Sequence, residues 1–139
     1  MVMDSQITFA SVDGMAEGIP ADVNESIIKL LSEWAEVKTP LESFYRNRDQ
    51  QNTTEGMKRG LAIFIQFLFW SNEEPILGAK PITTNNLIIK PFNLEERLSF
   101  VIARPNLFHS YRQLSELMIE QEKLYAKKMA LKKASKPIG

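Results

Sequence analysis

The chain has 139 residues, 44% of them hydrophobic, with seventeen Lys and Arg, seventeen Asp and Glu, one His and no Cys. That length and apolar content suit one domain with a real core and not a disordered chain. Lack of Cys excludes disulfides, thiolate metal sites and cysteine nucleophiles, a single His excludes a multi-His metal site, and zero formal charge argues against a purely electrostatic nucleic-acid binder.

Residues 1–19 contain Gly14 and Gly18 and hold no sustained period, so they read as an extended, poorly ordered lead that docks through Ile7 and Phe9. They lack a basic start followed by a long apolar run, so no export signal is expected. The first helix is predicted over about 22–37. Ile27, Leu30, Leu31, Trp34 and Val37 recur at three and four residues, and Asp22 and Glu25 suit the positive end of the helix dipole. Thr39-Pro40-Leu41-Glu42 is a capping signature that ends that helix and starts a short second one, with Leu41, Phe44 and Tyr45 apolar.

Asn52-Thr53-Thr54-Glu55 is a second capping signature, opening a helix over about 53–71. From Leu61 to Trp70 this helix is apolar nearly all round, as for a helix enclosed by others. It falls short of the roughly 20 apolar residues of a bilayer span. Trp34, Trp70, Phe64, Phe67 and Phe69 therefore read as core before they read as a ligand pocket. Gly56 and Gly60 stand four apart, and their missing side chains permit close approach of a neighbour.

Residues 72–92 carry Pro75, Gly78, Pro81 and Pro91 and no period. An irregular stretch of that length is either packed as an ordered excursion or functional. Asn93-Leu94-Glu95-Glu96 is a third capping signature, for a helix to about 103 with Leu94, Leu98, Val101 and Ile102 as its stripe. Arg104-Pro105-Asn106 makes a turn. The last helix runs from near 106 toward 133, with Leu107, Phe108, Tyr111, Leu114, Leu117, Met118, Leu124 and Tyr125 as its stripe. Such a helix is ~40 Å long, so its Lys-rich end is expected to project or fray.

The reading is all-α: a compact bundle of about five helices around a buried central helix, with an irregular 72–92 excursion and a long basic C-terminal helix. It assigns 1–19 to the lead, 20–133 to a single helical domain and 134–139 to a flexible tail. The neutral total hides a gradient. Residues 1–103 hold nine basic and fourteen acidic side chains, a balance of −5, and residues 104–139 hold eight and three, a balance of +5.

Lys90–Phe100 (KPFNLEERLSF), Arg104-Pro105 and His109–Leu114 (HSYRQL) resemble the YpoC-like family of small Firmicutes proteins. Phe67–Trp70 (FLFW) with Asn72 and Pro75, and Ala126-Lys127-Lys128, are similar to it as well. The resemblance spans roughly residues 57–130 and implies an all-helical cytoplasmic bacterial domain. It carries over no catalytic residue.

Candidate sites follow from residue type. His109 could serve as a general base, or bond to backbone, Asn93 or Glu95. Glu95 and Glu96 could offer carboxylates to a hard cation, or act as first-turn acids on the helix dipole. Arg97, Arg104 and Arg112 could gather to bind phosphate or a partner's carboxylates, or pair internally with Glu95, Glu96, Glu116 or the acidic first helix. Lys123, Lys127, Lys128, Lys132, Lys133 and Lys136 form a basic end that could contact phosphates without reading sequence, or keep the protein soluble. That end lacks Arg and interleaved aromatics beyond Tyr125, which weakens single-strand binding. No catalytic, metal or cofactor pattern emerges. The expected function is a cytoplasmic, non-enzymatic protein-interaction or adaptor module with an unknown protein partner and no membrane. The alternative is a non-specific, weakly binding nucleic-acid accessory protein using the basic C-terminal helix together with Arg97, Arg104 and Arg112.

Overall fold

The computed structural model describes residues 6–7, 15–78 and 82–135, with side chains for all but 6–7. The expectations placed on Phe9, on Lys136 and on the tail beyond residue 135 lie outside these. Among the described residues there are four helices: α1 (Val23–Arg46), α2 (Gln50–Ser71), α3 (Leu94–Ala103) and α4 (Phe108–Ala134). Two short strands, β1 (Gln6–Ile7) and β2 (Ile82–Thr83), pair antiparallel, with Gln6 opposite Thr83 and Ile7 opposite Ile82. The fold class is all-α.

The expected break at Pro40 does not occur. The helix predicted over 22–37 and the short one after it are one helix of 24 residues with Pro40 inside. Proline removes the backbone bond to the Glu36 carbonyl and costs about 3 kcal/mol in a helix interior. Continuity keeps Leu41 on the same face as Trp34, and both are buried, Leu41 completely. Burying two such side chains is worth more than the proline costs. Thr39 adds a hydroxyl bond to the Ala35 carbonyl at 3.0 Å instead of acting as a cap.

Asp22 caps α1 by accepting from Glu25 N at 3.0 Å. The cap of α2 is Asp49, accepting from Asn52 N at 3.2 Å, so α2 starts three residues before the predicted position. The third capping signature does not form. Asn93 adopts a left-handed φ of 53° and its side chain makes no cap bond.

Side chains at and above Gly60 pack in all directions. Every residue of α2 from Gly60 to Ser71 is buried, including Phe64, Phe67, Phe69 and Trp70. α1 makes the most extensive contact with α2, and α4 packs on both α2 and α3. Leu41 lies against Gly56 and Trp34 against Gly60, so α1 and α2 run antiparallel. The two glycines thus admit side chains of neighbouring helices rather than a neighbouring backbone.

The described residues of the segment after α2 are fastened to the helices. Asn72 binds it through the backbone of Ile88 and Ile89. Gln121 of α4, fully buried, donates to Ser71 Oγ at 2.8 Å and to the Ile89 carbonyl at 3.3 Å. Thr84, also fully buried, donates to Glu95 at 2.6 Å. The end of the expected lead is held too. Gly18, at φ 80°, exchanges backbone bonds with Ile76 at 2.7 and 2.9 Å, and its carbonyl accepts from Trp70 Nε1 at 3.0 Å.

Candidate functional site

The three arginines do not form one cluster. Arg97, on α3, is directed across to α4. Its Nε donates to Gln113 at 2.9 Å, and Nη1 donates to Glu120 and to the Phe92 carbonyl, each at 3.0 Å. Its Nη2 donates to the other Glu120 oxygen and lies 3.9 Å from Glu116. The side chain is only 17% exposed. Hydrogen bonding to Glu120 raises its pKa above the usual guanidinium range, against the opposing effect of burial. Arg97 is a bracket between α3 and α4, with four of its five donors engaged within the protein.

Arg104 closes α3 and lies over the Phe100 ring, 5.1 Å from its centroid. His109 meets the same ring edge-on at 5.4 Å. Both are exposed, and both line a shallow groove between α3 and α4 with Arg97, Ser99 and Gln113. The Glu95 carboxylate that was a candidate partner of His109 instead accepts from Lys90 at 2.9 Å and Thr84 at 2.6 Å, both on Oε1. Partial burial favours the neutral form of Glu95, but these two bonds outweigh it and hold its pKa below the usual value. Glu96 is exposed and lines the α3/α4 groove. Among the described residues no group of three or more His, Asp or Glu could hold a metal ion.

Arg112 belongs elsewhere. It borders a depression between α1 and α4 with Lys38, Glu42, Phe108 and Tyr111. Phe108 was expected in the buried stripe of α4 but is 49% exposed, and Leu107 is 48% exposed. Nine residues at 100° each put Phe108 opposite the buried Leu117, a sign the spacing already carried.

The lysines of the last helix divide into two kinds. Lys128 Nζ donates to the Ser71 carbonyl at 2.7 Å, and Lys132 pairs with Glu73 at 3.3 Å, so both fasten α4 to the end of α2. Lys123, Lys127 and Lys133 are exposed and have no ion pair among the described residues. The end of α4 stays helical to Ala134, with every residue from Met129 on exposed.

Among the described residues, the most exposed large apolar side chains lie on the excursion. Ile88 is 92% and Phe92 80% exposed. The missing periodicity of this stretch left no way to tell from spacing which of its apolar residues face out. Beside it, Phe69, Ile76, Leu77, Ile82 and Leu87 line a small cavity of about 150 Å³.

Fold and surface together define a small all-α domain that presents apolar and cationic side chains on a fixed backbone. A family model described as YpoC-like protein matches residues 24–133, and the chain belongs to that family. It is similar to the "Uncharacterized protein YpoC" of Bacillus subtilis (strain 168), 27% identical over 116 residues that cover 81% of this chain and 71% of the relative. No solved structure matches. No described helix is long and apolar enough to cross a membrane.

Proposed function

We propose that the chain is a non-catalytic protein-interaction module of the cytoplasm, docking a protein partner through the 72–92 excursion. One observation carries this reading: Ile88 and Phe92 are almost wholly exposed although the backbone that bears Ile88 is clasped by Asn72. A flexible loop that exposes apolar groups can fold them away. A fastened one keeps them presented, so the ordering cost of binding has already been met. The preparation fits the anchor residues of an interface, where aromatic side chains dominate affinity. The basic C-terminal helix is a weaker candidate for the main contact, because Lys128 bonds the Ser71 carbonyl and Lys132 is paired with Glu73 on the surface.

The test is affinity capture from the native cell with the intact chain, an Ile88→Asp/Phe92→Asp variant and a Lys123→Glu/Lys127→Glu variant, all checked by circular dichroism. A specific partner retained by the intact chain and the lysine variant, but released by the Ile88/Phe92 variant, supports the proposal. Retention by all three, or loss only with the lysine variant, moves the docking surface off the excursion.

A further inference from the structure

A second surface stands apart from the excursion, at the junction of α1 with the start of α4. Phe108 projects there between two depressions. Arg46 lines one, and Lys38 and Arg112 line the other. None of these three cations has an ion-pair partner among the described residues, as is also true of Lys123, Lys127 and Lys133 on the basic end of α4.

The ring is held from behind. Tyr45 meets Phe108 edge-on at 5.6 Å and 80°, and Tyr111 lies 5.6 Å away at 36°. Each tyrosine is itself pinned: Tyr45 donates to the Pro105 carbonyl at 2.6 Å, and Tyr111 donates to Glu42 at 3.0 Å. Phe108 is therefore a half-exposed aromatic ring in a fixed position, with cations on either side. Lys38 and Arg46 are eight residues apart on α1, so the cations span ~12 Å of helix.

From this arrangement we infer that the α1/α4 junction binds single-stranded nucleic acid. A base stacks on Phe108, and the flanking phosphates lie against Lys38, Arg46 and Arg112. Stacking on an aromatic side chain beside a cationic track is how single strands are held without sequence readout. The basic end of α4 lacks that combination, and the tertiary fold assembles it here from two distant segments. A protruding ring suits a planar base better than the apolar face of a peptide helix, which needs a recess. Lys38, Glu42, Arg46, Arg112, Ser115 and Glu116 border the depressions beside the ring, so a wholly apolar helix face seated there would bury charged groups. Two acids, Glu42 and Glu116, border the same depressions and keep their charge, so the three cations exceed the two acids by one. Glu42 is fixed in place by the Tyr111 hydroxyl at 3.0 Å, and Glu116 lies 3.9 Å from Arg97.

The test is fluorescence anisotropy of a labelled oligothymidylate with the full chain, titrated from about 50 mM salt upward. The intact protein is expected to bind, with affinity falling steeply as salt rises. Arg46→Ala/Arg112→Ala should weaken binding at least about tenfold and lower the slope of log affinity against log salt by about 1.4, two cations at ~0.7 each. Phe108→Leu, which keeps apolar volume behind the site, should weaken binding about fivefold or more through lost stacking. Lys123→Ala/Lys127→Ala should stay within about twofold of the intact chain. The inference fails if the intact chain does not retain the oligonucleotide at the lowest salt. It fails equally if the Lys123/Lys127 variant loses binding while the Arg46/Arg112 variant keeps it, or if an oligoglutamate of equal charge competes as well as unlabelled oligothymidylate.

Discussion

The Asn72 carboxamide and the Ile89 peptide group bond to each other in both directions, Nδ2 donating to the Ile89 carbonyl at 2.8 Å and Oδ1 accepting from Ile89 N at 2.8 Å. The same carboxamide also accepts from Ile88 N at 2.8 Å and donates to the Leu68 carbonyl at 2.7 Å. One side chain thus stands in for the strand partner that the excursion lacks.

Asn72→Ala removes four hydrogen bonds at once. At about 1 kcal/mol each, less whatever water recovers, the expected loss is about 2–4 kcal/mol in urea unfolding. Asn72→Asp keeps the shape but cannot donate to Leu68 or Ile89, and should fall between Asn and Ala. A loss under about 0.5 kcal/mol for Asn72→Ala would show that the excursion is held by apolar packing alone.

Gly56 and Gly60 should respond differently to alanine, although both substitutions improve helix propensity by about 1 kcal/mol. A Cβ at Gly56 would lie 2.7 Å from Leu41 Cδ2, and its three nearest neighbours all belong to that one side chain, which can give way. A Cβ at Gly60 would meet the Trp34 ring at 2.7 Å and Leu114 at 3.0 Å, wedged between two helices. Gly60→Ala is expected to destabilise by about 1–3 kcal/mol and Gly56→Ala to be near neutral, measured by parallel thermal melts.

Pro40→Ala restores the missing backbone donor in the middle of α1. The helix-interior cost of about 3 kcal/mol is partly offset because proline also restricts the unfolded chain by about 1 kcal/mol. The variant should be more stable by about 1–2 kcal/mol. A variant less stable than the parent would mean that the proline's restriction of the unfolded chain outweighs its cost in the helix.

Glu95 gives a signed dependence on pH. Its pKa is lowered in the folded state from the ordinary value of 4.5, chiefly by the Lys90 and Thr84 bonds working against burial. A carboxylate whose folded pKa is depressed adds stability that is fully present above its unfolded pKa and is lost as pH falls through the folded one. Glu95→Gln should therefore be less stable than the parent near pH 7, with the gap closing below pH ~4. Chemical denaturation at a series of pH values checks this. A gap constant down to pH ~3 would mean that the Lys90 ion pair contributes nothing.

The class of fold was written in the local pattern. Ile27, Leu30 and Trp34 on α1, and Leu94, Leu98 and Val101 on α3, recur with helical spacing, and all six are buried. Such periodicity expresses a property of one helix face, which spacing alone can reveal. Turn chemistry was less decisive. Asp22 caps α1, yet Pro40 failed to break it, because the cost of a proline is local while the gain from burying Leu41 against Gly56 belongs to the packed pair.

Charge pairing was decided by tertiary structure alone. Composition shows seventeen cations and seventeen anions but not which of them meet. Arg97 sits 23 residues from Glu120, and Lys132 sits 59 from Glu73, yet each finds its partner because helices α3 and α4, and the end of α2, come together in the fold. The same docking leaves Lys38, Arg46 and Arg112 around Phe108 with no ion pair among the described residues, and leaves Ile88 and Phe92 facing solvent. Sequence by itself determined that this is an all-helical domain with one buried apolar helix, since backbone periodicity is a local property. Its surfaces came only from the tertiary structure, because exposure and ion pairing depend on which distant residues are brought together.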